Sequence, residues 1–138
     1  MPSQQQTLEQ KRAAQAWADV SAVKPQSFKG KYGGLVRKLP AHITGNGLGQ
    51  TLAFLRAKSA AKPGKPPTAE NQAHNAAYQH LSHWVMQQLN PTVQLPNDTL
   101  LPWLLGQTSE VYRQATAESL AYLVWLKRFA EAELPEEE

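Results

Sequence analysis

The segment SEVYRQATAESLAYLVWLKRFAEAE, residues 109–133, constrains the fold more than any other part of this chain. At 100° per residue, Val111, Tyr112, Ala115, Ser119, Tyr122, Leu123, Leu126 and Phe129 fall within about 120° of one another. Such an arc is one face of a long amphipathic helix, and other elements must cover it. Leu120 and Val124 depart from the pattern, lying on the opposite side between Arg113 and Lys127. Two explanations stand. Either a small core wraps both sides of a central helix, or this stripe with its basic rim faces a partner.

The elements available to cover that face are helical too. No segment reads as a strong strand, whereas four further windows repeat at spacings of three to five. The first spans 5–24, with Leu8, Ala13, Trp17 and Val20 recurring and Pro25 as its stop. The second opens near Ser27 and runs through Phe28, Tyr32, Leu35, Val36 and Leu39, weakened by Gly33-Gly34. Pro40 either kinks this helix or opens a short new one, because it lacks an amide donor. A third helix is expected over 48–59 with Leu48, Thr51, Leu52 and Leu55 inward. AAKPGKPPT, residues 60–68, is the clearest loop. Thr68 then reads as an N-cap, with Glu70 in the first turn. Ala73, Ala77, Leu81, Trp84 and Gln88 define the face of a fourth helix ending near Leu89. NPTVQLPND (90–98) is a second linker, followed by a short apolar stretch containing Leu100, Leu101, Trp103, Leu104 and Leu105. The expected fold is all-α, a compact bundle of five or six helices. A length of 138 residues suits a single helical domain over 1–138, with a flexible N-terminus (1–5) and an acidic tail (134–138).

Between the second and third windows the chain reads LPAHITGNGLGQTLAFLRAK, residues 39–58. GNGLGQ resembles half of a dinucleotide fingerprint but fails its context, since no apolar strand precedes Gly45 and the glycine spacing is wrong. A DNA-reading helix-turn-helix would offer Gln50, Thr51 and Arg56, yet Leu52 and Leu55 on that helix must be buried. The structural reading is that Gly45, Asn46 and Gly47 visit positive φ, ending one helix and redirecting the chain into the next. Exposed amides there remain able to touch a phosphate.

Charge gives the strongest functional signal. Residues 1–65 carry eleven Lys/Arg against Glu9 and Asp19, a balance of +9, whereas residues 66–138 carry three against nine acids, a balance of −6. From Val20 to Ala69 there are nine lysines and arginines and no carboxylate. Ordinary solvated faces mix signs, so a field of one sign favours an anionic partner. Lys and Arg neutralise phosphates without demanding a base sequence. Phe28 and Tyr32 lie among these lysines and offer base stacking, although anchoring the core is the plainer use.

Catalytic groupings are missing. The chain has no cysteine, hence no disulfide framework, zinc knuckle or thiol nucleophile. His80 and His83 are three apart on the fourth window without converging carboxylates, and His42 reads as a surface or phosphate-contact residue. No paired-acid spacing or GxSxG nucleophile turn stands out. The chain is therefore expected to be no enzyme, with no catalytic residue, metal or cofactor. MPSQQQTLEQ lacks an apolar leader core and LAYLVWL (120–126) is too short to span a bilayer, so no membrane partner and a cytoplasmic location are expected.

Two blocks of the sequence resemble a known family. YGGLVRKLPAHITGNGLGQTLAFLRAK (32–58) closely resembles the signature of the small subunit of the type III-B CRISPR RNA-silencing complex, the Cmr complex. YRQATAESLAYLVWLKRFAEA (112–132) is similar to that family's C-terminal helix. The resemblance implies a non-catalytic protein in antiviral defence, stacked with copies of itself beside larger backbone subunits, where it helps hold paired guide and target RNA. Carried onto this chain, it makes Arg37, Lys38, Arg56 and Lys58 the phosphate-contact candidates, and Lys31 extends the patch on charge alone. Lys127 and Arg128 match the WLKR block and face either RNA or a neighbouring subunit, beside the Leu120 and Val124 stripe. His42 and the KPGKPP loop depart from the family pattern. A sequence-selective DNA-binding regulator and a protein adaptor without RNA contact stay open as alternatives.

Overall fold

The computed structural model describes residues 6–91 and 100–135, which form six helices and no strand. They are α1 (Leu8–Val23), α2 (Lys29–Asn46), α3 (Leu48–Ser59), α4 (Ala69–Leu89), α5 (Leu100–Leu105) and α6 (Ser109–Glu133). The expected mobile start (1–5), most of the second linker (92–98) and the last three tail residues (136–138) lie outside the described residues. Three helices begin where a threonine oxygen can accept an orphan amide. Thr7 and Thr68 form reciprocal capping boxes with Gln10 and Asn71, and Thr108 accepts from the Val111 amide. In short α5 the first two amides donate to Ser82 Oγ at 3.1 Å and Tyr78 Oη at 3.2 Å, both from α4.

In the core, α2 lies between α6 and α4, α1 packs on α6, and α3 packs on α4. Tyr32, Val36, Leu39, Leu52, Leu55, Leu81, Leu123 and Leu126 are all fully buried or nearly so. The inward face expected for α3 is the buried one, residue for residue: Leu48, Thr51, Leu52 and Leu55. Pro40 sits inside a continuous α2. Burial of Val36, Leu39 and Ile43 on both sides of it compensates for the one missing backbone hydrogen bond. The expected arc of α6 holds with a small rotation, burying Ala115, Glu118, Ser119, Tyr122, Leu123, Leu126 and Ala130.

The face of α1 differs from expectation. Its buried residues are Ala16, Val20 and Val23, while Trp17 is 48% exposed and Leu8 is 42% exposed. Small Ala16 lets α1 approach α6 closely. Trp17 is displaced to the rim, where it meets Phe129 edge-on at 5.1 Å.

The glycine junction is sharper than expected. Gly45 and Asn46 stay helical, and the redirection falls on Gly47 alone, at φ 90° and ψ 157°. That region of backbone space is essentially closed to residues with a Cβ. Gly49 has a different reason to be glycine. Its amide donates to Tyr112 Oη at 2.7 Å, and a Cβ there would lie 2.9 Å from the same oxygen. Gly33 likewise admits the Pro135 carbonyl, which a Cβ would overlap.

Candidate nucleic-acid interface

The basic residues singled out from the sequence sit on α2 (Lys31, Arg37, Lys38), at the end of α3 (Arg56, Lys58) and on α6 (Lys127, Arg128). On α2, Lys31 and Lys38 are seven residues apart and so share a helix face to within about 20°. Lys38 is exposed and Lys31 half-buried. Arg37 is turned elsewhere. Its guanidinium donates to the carbonyls of Leu134 at 3.1 Å and Ala130 at 3.4 Å, closing the C-terminus of α6. The Leu134 carbonyl lies past the last helical turn, the Ala130 carbonyl already accepts from the Leu134 amide at 2.9 Å, and a cation at this end also suits the helix dipole. Arg37 therefore holds α2 to α6, and the structure separates it from Lys38, its neighbour in sequence.

Arg56 and Lys58 occupy the last turn of α3, over α4. The Arg56 guanidinium lies 5.4 Å from the centre of the Tyr78 ring, a cation–π arrangement that fixes the direction of a long side chain. Lys58 Nζ stands 3.7 Å from Glu70 Oε2, with both side chains about half exposed. Tyr32, once a stacking candidate, is fully buried, so it cannot meet a base. His42 is half-buried rather than a surface group. It stacks on Phe54 at 4.9 Å, and its Nδ1 is 2.7 Å from Thr51 Oγ1. Because Thr51 gives its hydroxyl proton to the Gly47 carbonyl at 2.9 Å, the His42 Nδ1 must be the donor in that pair.

The partner stripe on α6 is divided. Leu120 is half-buried against the core, whereas Val124 is 53% exposed. Lys127 is half-buried, and Arg128 is well exposed with Glu131 3.7 Å away. Leu120 thus belongs to the core side of α6, and Val124 lies on its surface.

Two buried polar clusters escaped the sequence reading, and they keep these surfaces in register. Arg12 Nε and Nη2 grip both oxygens of Glu118, at 2.7 and 2.8 Å, and Trp84 Nε1 donates to Glu118 at 2.8 Å. Desolvation pushes the Glu118 carboxyl up, but the Arg12 and Trp84 hydrogen bonds outweigh it and hold the pKa below the ordinary value. In the second cluster Asp19 accepts from the Tyr122 hydroxyl and from Gln15 at 3.0 Å, and lies 3.9 Å from His80 Nε2. His80 Nδ1 is 2.7 Å from Tyr32 Oη. Burial lowers the His80 pKa and pushes both tyrosine hydroxyls up. With His80 neutral, the Tyr32 hydroxyl can donate to Nδ1 while Nε2–H points towards Asp19. One sequence signal was available: Glu118 falls at the edge of the apolar arc of α6, where a carboxylate needs a partner.

Among the described residues no three His, Asp or Glu side chains converge in a way that could hold a metal ion. His74 donates its Nδ1–H to the Glu70 carbonyl at 2.7 Å, His80 belongs to the Asp19 cluster, and His83 is exposed. No helix is long and apolar enough to cross a membrane among the residues described.

Comparison with known proteins agrees with this architecture. Residues 8–133 match the family described as CRISPR-associated protein (Cas_Cmr5). A solved structure, the crystal structure of a CRISPR-associated Cmr5 family protein from Thermus thermophilus, superposes with a TM-score of 0.72 at 28% sequence identity. The match covers 94% of this chain and 98% of that one.

Proposed function

The chain belongs to the Cas_Cmr5 family of CRISPR-associated proteins, and from that premise we propose that it is a non-catalytic structural subunit of a cytoplasmic type III-B Cmr complex. It stacks with copies of itself in the minor filament and supports guide and target RNA through its basic surface, as a single helical domain. The observation that carries this reading is the single-sign field. The chain between Val20 and Ala69, which includes all of α2 and α3, contributes nine cations and no carboxylate. Lys31, Lys38, Arg56 and Lys58 are the phosphate-facing candidates, and Arg37 serves the fold as well as the field. The outer face of α6, with Val124, Lys127 and Arg128, contacts neighbouring subunits, and Leu120 anchors that face to the core. A sequence-selective DNA-binding reading is weakened, because Thr51, one of the three α3 residues it would use, is buried in the core.

The test is reconstitution of the complex with Lys31→Glu and Lys38→Glu combined. These variants are expected to join the particle and to hold target RNA more weakly, with the deficit widening as salt is lowered. Binding equal to the parent at every salt, together with variants of Arg56 and Lys58 that also bind normally, would remove RNA support. It would leave an adaptor acting through α6. Val124→Asp is expected to give a folded chain that no longer joins the particle.

A further inference from the structure

The loop between α3 and α4 carries two lysines that the family pattern leaves without a role. We propose that the groove it forms with the end of α3 and the start of α4 is a track for the phosphate backbone of single-stranded RNA, gripped by Lys62 and Lys65 with Lys58. This rests on the RNA-supporting reading above and adds a specific surface to it.

The groove holds about 460 Å3, and its polar lining is Lys58, Lys62, Lys65, Thr68, Glu70 and Asn71. Lys62-Pro63-Gly64-Lys65 forms a tight turn, with the Lys65 amide donating to the Lys62 carbonyl at 3.0 Å and Gly64 at φ 75°. Proline followed by a positive-φ glycine is the pattern of a type II turn, which brings its first and fourth Cα atoms within about 7 Å. The turn therefore sets two lysines side by side. Neither makes an ion pair among the described residues, and the one carboxylate of the groove, Glu70, leans towards Lys58. Two cations rooted at the ends of one turn repel when their heads approach, and an anion lying between them relieves the repulsion.

The loop is also held ready. One side chain, Asn71, ties both of its ends. Its amide donates to the carbonyls of Lys58 at 2.8 Å and Ala60 at 3.1 Å, and its oxygen accepts from the Thr68 amide at 2.9 Å. Pro66 and Pro67 stiffen the return to α4. A braced loop loses little conformational freedom on binding, so charge attraction is not offset by ordering. The apolar lining consists of Ala57, Ala60 and Pro66, with no aromatic or arginine anchor of the kind that dominates protein interfaces. Lysines spaced at 58, 62 and 65 suit a linear polyanion read by its backbone.

The experiment compares reconstituted Cmr complexes containing the parent chain, Lys62→Gln with Lys65→Gln, and Lys31→Gln with Lys38→Gln. Each is titrated with labelled RNA that pairs with the guide and carries an unpaired extension, between about 50 and 200 mM salt. Losing two single-strand phosphate contacts should flatten the salt slope by about 1.4, which makes the affinity deficit about 7-fold larger at the low-salt end than at the high. If the loop variant follows the parent line while the α2 variant weakens, the track is overturned and the RNA-supporting role survives. If both follow the parent line, the track is overturned and the RNA-supporting reading is left to Arg56 and Lys58. A loop variant that folds but fails to enter the particle makes the groove a protein contact, which also overturns the proposal.

Discussion

Replacing Arg12 with methionine probes the cluster that holds α1, α4 and α6 together. The substitution keeps the aliphatic stem and removes the guanidinium that grips both oxygens of Glu118. Only the Trp84 N–H then remains on a carboxylate whose side chain is 10% exposed. Breaking a buried ion pair from one side costs about 3–5 kcal/mol. The Arg12 side chain keeps 18% exposure, so water relieves part of that loss and the lower end, about 3 kcal/mol, is expected. At about 4 °C per kcal/mol for a chain of this size, the melting temperature should fall by about 12 °C. Arg12→Met with Glu118→Leu should recover part of the loss, because the stranded charge is gone, but not all of it, because Trp84 then lacks an acceptor.

The pH dependence gives a second check. The Glu118 pKa is held below its ordinary value of 4.5 in the folded parent. Its contribution is thus fully present above pH 4.5 and lost as pH falls through the lower folded value. Without Arg12, desolvation dominates and the carboxyl takes up a proton more readily, so parent and variant should converge on acidification. Chemical denaturation monitored by circular dichroism at pH 7 and pH 4 reads both effects. A single variant within about 0.5 kcal/mol of the parent at pH 7 would refute the argument, since that is the range of an exposed pair.

Two other expectations follow from the same structure. Gly47→Ala should destabilise by about 1–3 kcal/mol through its backbone alone. Gly49→Ala should be harmful for a different reason and should be partly rescued by Tyr112→Phe, which removes the oxygen a Cβ would meet; unchanged melting of Gly47→Ala, or no rescue, would show that the two glycines have been misread. His80 is neutral in the fold because burial lowers its pKa from 6.5, whereas the unfolded chain takes up a proton near 6.5. Stability should therefore fall as pH drops from 7 through 6.5 towards the folded value. His80→Gln, which can still accept from Tyr32, should flatten that slope, and a slope that persists assigns it to another group.

The parts of the fold that were legible in the sequence are those where burial follows large apolar side chains. Leu48, Leu52 and Leu55 announce the face of α3, and the arc from Ala115 to Leu126 announces that of α6. α1 was misphased because its contact stripe runs through Ala16, which carries no such signal, while Trp17 carries a strong one and sits at the rim. Arg37 was read by its charge. The carbonyls it holds lie 93 and 97 residues away, and no local pattern reveals them. The loop lysines were counted in the field but not paired, since their proximity depends on the turn at Gly64.

Residues 20–69, about a third of the chain, carry charge of one sign, and the fold shows how the acids around them are engaged. Asp19 and Glu70 bound the acid-free span, and both are engaged: Asp19 with Tyr122 and Gln15, Glu70 with Lys58. Glu9 and Glu118 hold Arg12, Glu110 holds Arg113, Glu131 lies by Arg128, and Glu133 holds Lys24. Of the cations in these pairs, all but Lys58 lie outside α2 and α3. Among the described residues, Asp19, Glu118 and Glu133 thus tie α1 and its C-terminal end to α6. Adjacent cations on α2, α3 and the following loop raise one another's energy, by an amount that grows as salt is removed. A bound polyanion lowers that energy in proportion to the phosphates it brings. On the proposed RNA-supporting role, the same segregation that costs the isolated chain stability would favour an RNA-bound state.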